Sequence, residues 1–172
     1  MSEIKPRVVE ARPSDAALLD RLLELYAYDF SEMLELELTA SGHYFPGGWR
    51  RSEACERSWL LYAGEHPAGF AVATLGSVID GRADVWDMRE FFVVRRHRRL
   101  GQGLYLAHAV WRQQPGTWDV RINQRNRPAL AFWQRAASAA GGASIAPRLA
   151  LNTRTGKQEH LLRFKPDLAD SD

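Results

Sequence analysis

The chain has 172 residues, a formal net charge of +2, 45% apolar residues and 26% charged residues. This composition is typical of a single globular domain, and the net charge is too small to indicate a polyanionic partner. The N-terminal residues contain no long apolar run, so we expect no signal peptide and no membrane segment.

Cysteine and histidine usage argues against disulfide and metal chemistry. Cys55 is the only cysteine, so no disulfide forms within the chain, and we interpret it as a packed or half-exposed thiol in a reducing compartment. The five histidines show no metal-ligand spacing, and we expect no metal site. The cytoplasm is the expected location.

The N-terminal half predicts a strand, a long helical region and a hairpin. Residues 6–11 alternate as a strand does. A helix capped by Ser14 or Asp15 follows, and residues 28–38 continue as a second, acidic helix before a turn-rich stretch. The first helix has apolar positions at helical spacing: Leu18, Leu19, Leu22, Leu23 and Tyr26. Strands at 57–64 and 68–78 then flank a turn.

The C-terminal half alternates strands with helices. Residues 83–94 form a strand whose nearly continuous apolar end suits a central position in a sheet. The later predicted elements are a helix over 101–114, a strand over 117–122, a helix over 126–137 and two strands near 144–151 and 158–164.

The stretch RRHRRLGQGL, residues 95–104, joins one of these strands to a helix. Unpaired N–H groups and the positive end of the helix dipole would meet there, Gly101 and Gly103 would let an anion approach, and Arg98 or Arg99 would add charge. The pattern predicts a pyrophosphate cradle. The alternative is a basic surface turn before a glycine-capped helix.

Two segments resemble the signatures of the GCN5-related N-acetyltransferases. In the first, FFVVRRHRRLGQGL, a strand runs into Arg98, Gly101 and Gly103. In the second, NQRNRPALAFWQRA, the matching positions are Asn126, Ala129, Phe132 and Trp133. The element order is also similar over residues 6–164. LLELYAYDFSEML resembles a bacterial subgroup of predicted acetyltransferases.

The resemblance implies an α/β fold of the α+β type. We expect a mixed, mostly antiparallel sheet of about seven strands with splayed central strands, and about four helices. Residues 1–166 would form one acetyltransferase domain, and residues 167–172 a flexible acidic tail.

The resemblance also implies acetyl-CoA as cofactor. The backbone amides of residues 99–104 would hold the pyrophosphate, the pantetheine arm would pair with the strand edge, and the N–H of Val93 would polarise the thioester carbonyl. Asn126 could instead simply start a helix, and Phe132 could simply be core. The expected cofactor-binding residues are Phe92, Val93, Val94, Arg98, Arg99, Leu100, Gly101, Gln102, Gly103, Leu104, Asn126, Ala129, Phe132 and Trp133.

Glu90 is the candidate general base, with Val93 as the second catalytic group. Glu90 precedes an apolar run, where partial burial would raise its pKa, and the family often places an acidic residue there. A solvated strand carboxylate is the alternative. Asp87 is a weaker choice, because two-residue alternation places it on the other face of the strand. His97 is expected on the surface or beside the phosphate.

The segment after the first helix usually covers the acceptor side of this fold. Tyr28, Asp29, Glu35 and Tyr44 are therefore expected to bind substrate, and acidic groups beside aromatic ones would suit a cationic amine. Glu32 and Glu37 belong to the same stretch. A solvated helix face is the alternative.

Trp133 stands where the family often has a tyrosine that protonates the leaving thiolate. An indole cannot deliver that proton at neutral pH. Tyr105 or water could act as the acid, or the thiolate leaves unprotonated. We expect turnover to depend on no side-chain acid.

The predicted activity is acetyl transfer from acetyl-CoA to a primary amine of a small molecule or peptide. The alternatives are a non-catalytic acyl-CoA sensor and nucleic-acid binding through RRHRR, which nearby acidic stretches disfavour. We expect no nucleic-acid and no membrane partner. The acceptor, the acyl-chain length and homodimer formation stay open.

Overall fold

The computed structural model describes residues 5–46, 56–141 and 145–168, so Cys55 lies outside the described residues. These residues form one seven-stranded sheet with helices on both faces. The strands are β1 (Pro6–Glu10), β2 (Glu56–Ala63), β3 (His66–Leu75), β4 (Val85–Val93), β5 (Thr117–Asn123), β6 (Arg148–Leu151) and β7 (Gln158–Phe164). The α-helices are α1 (Ala16–Leu34), α2 (Gln102–Gln113) and α3 (Arg127–Gly141).

The sheet has the order β1-β2-β3-β4-β5-β7-β6. Of the six strand pairs in the described residues, β4 with β5 is parallel and the other five are antiparallel. α1 packs on one face through a leucine-rich stripe, and α2 and α3 pack on the other around buried tryptophans. Each helix thus buries its apolar side against the sheet, which accounts for most of its stability. The predicted mixed, mostly antiparallel seven-stranded sheet is confirmed.

The central strands β4 and β5 separate after a short parallel ladder. Their pairing runs from Val85 opposite Thr117 to Met88 opposite Val120, and stops there. β4 continues to Val93 along β3, while β5 continues along β7. The predicted splay of the central strands is confirmed, and it opens a gap between their C-terminal ends.

A β-bulge at Arg89 sets which side chains of β4 face α1. Met88 lies opposite Ala73 and Glu90 opposite Val72, so Arg89 is the extra residue. Met88 packs in the core under α2 and α3, and Glu90 bonds to a side chain of α1. Asp87 and Glu90 therefore share the α1 face. The expectation that alternation separates them is wrong, because the bulge shifts the alternation by one residue.

The helices differ from the prediction in the N-terminal part of the chain. A single α1 spans the region predicted as two helices, so the described residues contain three α-helices where about four were expected. Apolar spacing continues through Tyr26, Phe30 and Met33, and nothing interrupts it. The helix ends where Glu35 adopts a left-handed φ of 55° and the N–H of Leu36 bonds back to Ser31 at 3.0 Å.

The first residues after β7 contact the α2–α3 side of the domain. The N–H of Asp167 donates to the carbonyl of Ala140 at 2.7 Å, and Leu168 packs against the α2–α3 core. The start of a flexible tail at residue 167 stays a prediction, and residues 169–172 lie outside the described residues. Among the described helices, none is long and apolar enough to cross a membrane.

Gly69 permits the close approach of β3 to β4, and we expect Gly69→Ala to destabilise the fold. A Cβ at Gly69 would lie 2.3 Å from the carbonyl oxygen of Phe92, which is backbone and cannot rotate away. The loss should be about 1–3 kcal/mol in urea denaturation. Gly141→Ala is the control, since its Cβ meets only ordinary contacts at 3.9 and 4.0 Å. Equal stability of both variants would contradict this close approach.

Candidate active site

A cavity of about 430 Å³ fills the gap between the diverging ends of β4 and β5. α1 borders it from one face of the sheet through Tyr26, Phe30 and Met33, and α3 borders it from the other through Ala129 and Trp133. The turn between β6 and β7 forms a third wall. The cavity connects the two faces of the sheet, so two molecules can meet in the gap from opposite sides.

Glu90 and Tyr26 lie together on the α1 side of the cavity, where the Tyr26 hydroxyl donates a hydrogen bond to the Glu90 carboxylate. Burial raises the pKa of Glu90 above its ordinary value, and the bond from Tyr26 opposes that rise. Burial and the nearby Glu90 raise the pKa of Tyr26 well above its ordinary value, so the phenol keeps its proton. A half-buried, positioned carboxylate with raised proton affinity has the properties of a general base.

The backbone of β4 presents two N–H groups to the gap. The N–H of Val94 donates to a carbonyl of β3 at 2.9 Å. Two-residue alternation then turns the N–H of Phe92 toward β3, and those of Phe91 and Val93 away from it. Of the predicted strand residues, only Val93 can offer its N–H to a ligand. Phe92 and Val94 cannot, because β3 already takes theirs.

The start of α2 carries a run of unpaired backbone donors. Within the described residues, the N–H groups of residues 99–104 have no hydrogen-bond acceptor, and the helical ladder begins with Tyr105 bonding to Gly101 at 3.0 Å. These donors coincide with the positive end of the helix dipole, which is the physical basis of phosphate binding at helix N-termini.

The two glycines of this loop serve different purposes. Gly101 has a left-handed φ of 76°, and the space where a Cβ would lie is open to 4 Å. A Cβ at Gly103 would lie 3.2 Å from the ring of Phe132, so this glycine allows α2 to pack closely against α3. The structure thus gives Gly103 a packing reason that the sequence did not indicate.

Arg98 and Arg95 are held by Asp29 of α1. Arg95 donates to the Asp29 carboxylate at 2.6 Å, and Arg98 donates to its other oxygen. The Nε of Arg98 also donates to the carbonyl of Val93 at 2.7 Å. Burial disfavours ionised Asp29, but these bonds outweigh it and lower its pKa. Arg98 therefore braces the loop against β4 and α1, whereas Arg99 stays exposed.

The second predicted signature lies at the start of α3. The side-chain oxygen of Asn126 accepts the N–H of Ala129 at 3.1 Å, so Asn126 caps the helix as well as lining the cavity. The rings of Phe132 and Trp133 pack on Phe91 with centroids 5.7 and 4.6 Å apart. The structural alternatives thus hold in part. Asn126 starts α3 and also lines the cavity, and the ring of Phe132 packs on Phe91, which lines the cavity.

A charged network ties the two central strands together below the gap. Arg121 of β5 donates two hydrogen bonds to the buried Asp87 of β4, at 2.8 and 2.9 Å, and one to Glu159 of β7 at 3.0 Å. Asn152 donates to the same Glu159 at 3.0 Å. Asp87 is thus committed to Arg121, which leaves Glu90 as the carboxylate available for proton transfer.

The predicted acceptor residues are not brought together at the cavity. Tyr28 is 66% exposed, and Asp29 is held by the two arginines. Glu35 pairs with Arg125 at 3.2 Å on the surface, and the backbone of Tyr44 bonds to a carboxylate in the middle of α1. Two further acidic residues of this stretch are exposed: Glu32 and Glu37. None of the six lines the cavity.

Sequence reasoning missed Tyr26 as a site residue and treated it as an apolar helix position. The signal was present, because helical spacing places Tyr26 on the buried face and a buried tyrosine hydroxyl needs a partner. It also missed Phe91 and the β6–β7 turn. Tyr105, named as a candidate acid, is 42% exposed and does not line the cavity.

No protein-family model and no curated protein sequence matches the chain. Solved structures match its fold. An acetyltransferase from Thermus thermophilus superposes with a TM-score of 0.68 at 18% identity, covering 96% of this chain and 99% of that one. The ribosomal-protein-S18-alanine N-acetyltransferase from Escherichia coli has a TM-score of 0.60 at 13% identity, covering 98% of each chain.

A third match is Arabidopsis thaliana NAA60 in complex with acetyl-CoA, with a TM-score of 0.58 at 14% identity over 94% of this chain and 98% of that one. Identities this low establish the shared fold and no more. The chain therefore has the fold of the GCN5-related N-acetyltransferases.

We expect Asp29→Asn to weaken the fold at neutral pH, by an amount that shrinks as the pH falls below the ordinary aspartate pKa of 3.8. Because the folded pKa of Asp29 lies below its ordinary value, its ion pairs stabilise the fold above that value and are lost as the pH falls through the folded pKa. The neutral-pH loss should be about 1 kcal/mol after solvent screening, measured by urea denaturation across pH. Asp84→Asn, at an exposed ion pair, should have little effect. A pH-independent loss would contradict this assignment.

Proposed function

We propose that the chain transfers an acetyl group from acetyl-CoA to a primary amine by direct attack. The observation that carries the proposal is a half-buried carboxylate of raised pKa in the cavity between the splayed strands, where β4 has no pairing with β5 beyond Met88. The shared fold with acetyltransferases, one of them in complex with acetyl-CoA, supports the same reaction.

The residues present fit coenzyme A. Residues 99–104 offer consecutive unpaired N–H groups, and the open space at Gly101 leaves room for a phosphate beside them. The edge of β4 beyond its pairing with β5 would pair with the pantetheine amides as an added strand does, with the N–H of Val93 kept for the thioester carbonyl. Phe132 and Ala129 would line the arm on the α3 side. The cofactor would supply an acetyl group activated as a thioester.

The chain's own groups would handle the protons. Glu90, from the α1 side, would accept the proton of the incoming ammonium directly or through a water, and Tyr26 would hold its carboxylate in place. The N–H of Val93 would stabilise charge on the carbonyl oxygen. Neither Trp133 nor the exposed Tyr105 is placed to act as an acid. A thiol of pKa about 8.5 can leave as the thiolate.

A non-catalytic acyl-CoA sensor is the second candidate. Such a sensor needs the donors at the start of α2, but it has no use for a buried carboxylate held by Tyr26 at the far side of the gap. Keeping a carboxylate half-buried is costly, so the Glu90–Tyr26 pair favours catalysis.

We expect Gly101→Val to weaken coenzyme A binding at least tenfold, about 1.4 kcal/mol, by calorimetry. A β-branched residue disfavours the φ of 76°, so the donor loop must rearrange. Gly81→Val is a matched control, since Gly81 has a φ of 75° and equally open space in the β3–β4 connection. It should lose similar stability and keep coenzyme A affinity. Unchanged affinity in folded Gly101→Val would overturn the cradle.

We expect Glu90→Gln to lower kcat at least about a hundredfold with coenzyme A affinity unchanged. In Tyr26→Phe, Glu90 loses the hydrogen bond that lowers its pKa, so the acid limb of kcat/KM should move to higher pH. Tyr105→Phe is the control and should leave the profile in place. All variants are compared with one amine, so the titration of the amine cancels. An unshifted limb in Tyr26→Phe would mean that Glu90 is not the base.

A further inference from the structure

Basic side chains outnumber acidic ones in the lining of the cavity. The four basic residues are Arg89, Arg121, Arg154 and Lys157, and the two acidic residues are Glu90 and Glu159. Arg89 is paired with Glu56, and Arg121 with Asp87 and Glu159. Because Glu159 is already ion-paired, Glu90 is the acidic lining residue left to attract a simple cationic amine.

The carboxylates around the acceptor side are bound by the chain's own arginines. Glu159 and Asp87 share Arg121, and Glu35 pairs with Arg125. These carboxylates are thus unable to hold a second cation at full strength, because each already accepts hydrogen bonds from a guanidinium. Glu90 remains, and the proposed reaction uses it as the base.

The turn between β6 and β7, residues 152–157, is held rigidly at the mouth of the cavity. The side-chain oxygen of the buried Asn152 accepts the N–H groups of Arg154 and Thr155, at 3.0 and 3.3 Å. The N–H of Asn152 bonds to the carbonyl of Lys157 at 2.9 Å. Thr153 donates through its hydroxyl to a carbonyl of the loop after β3, at 2.6 Å. Hydrogen bonds hold the turn at both ends, so they fix the backbone positions from which its side chains extend.

Lys157 brings an uncompensated charge to this mouth. It lines the cavity, and it makes no ion pair with any residue of the described ranges. Lys157 directly precedes β7, two residues before Glu159, and lines the same cavity as Glu90. The guanidinium of Arg154 adds positive charge to the same turn.

We infer that the acceptor is an amine that also carries a carboxylate, with the carboxylate bound by Lys157 and the amine delivered to Glu90. β7 is two strands away from β4, and β4 and β5 diverge beyond Met88, so the backbones that carry the two groups are more than about 10 Å apart. A flexible chain of several bonds between amine and carboxylate spans that distance once the lysine side chain extends inward. This inference rests on the proposed function, which supplies the role of Glu90.

Three amines of equal length test the charge preference. Thiol release from acetyl-CoA is measured with ω-aminohexanoate, with its amide and with hexamethylenediamine, whose far ends are anionic, neutral and cationic. We expect kcat/KM to fall in that order. A preference for the diamine would overturn the inference.

Variants of Lys157 test whether the β6–β7 turn causes the preference for an amine with an anionic far end. Lys157→Ala should lower kcat/KM for the carboxylate about tenfold and leave the amide unchanged, and Lys157→Glu should make the diamine the best of the three. Lys165→Ala, just past the other end of β7, removes the same charge outside the cavity and should change none of the ratios. An equal loss for all three amines in Lys157→Ala would show a structural role only.

Binding separates this inference from the proposed reaction. ω-Aminohexanoate and its amide are titrated calorimetrically into the protein saturated with coenzyme A. Carboxylate binding that depends on Lys157, without thiol release from acetyl-CoA, would uphold the inference and refute the reaction. Equal turnover of all three amines would uphold the reaction and refute the inference. Failure of both the carboxylate to bind and the amines to react would refute both.

Discussion

The parallel pairing of β4 and β5 stops after four residue pairs, and the candidate site depends on that stop. A continuous ladder would consume the N–H groups of Phe91 and Val93 and would close the passage between the two faces of the sheet. Buried backbone groups normally find partners, so an open edge at the centre of a sheet requires water or a ligand to complete it. An extended molecule lying along β4, as the proposed function requires, would supply those partners.

An ion pair fixes the point at which β4 and β5 separate, and the bulge determines which way the next side chains of β4 face. Arg121 bridges β5 to Asp87 on β4 just where the ladder ends, so the strands are fastened below the gap and diverge above it. One residue further on, the bulge at Arg89 turns Glu90 toward α1 and leaves Phe91 facing α3. Arg89, Glu90 and Phe91 therefore divide the gap into a carboxylate side, toward α1, and an apolar side, toward α3.

Periodic features of the sequence predicted the fold. Contacts between residues far apart in the chain could not be predicted from those features. The strands, α2, α3 and the glycine loop follow from local patterns of apolar spacing and turn residues. The bulge does not, because inserting one residue reverses the alternation without leaving a mark in composition. The partner of Asp29 does not either, since Arg98 lies 69 residues away and only the packing of α1 against the loop brings them together.

The arginine-rich loop illustrates how a cluster of one charge can mislead. The sequence suggested that Arg98 or Arg99 adds charge to an anion site, yet Arg98, together with Arg95, binds the carboxylate of Asp29. The two arginines fix the loop, and the unpaired backbone amides that follow are the groups that the proposed function assigns to the pyrophosphate. Amide dipoles lose less hydration than guanidinium ions on contact with a phosphate, and a braced loop needs little reordering. Ion-paired arginines thus hold in place the loop whose uncharged backbone groups form the proposed anion site.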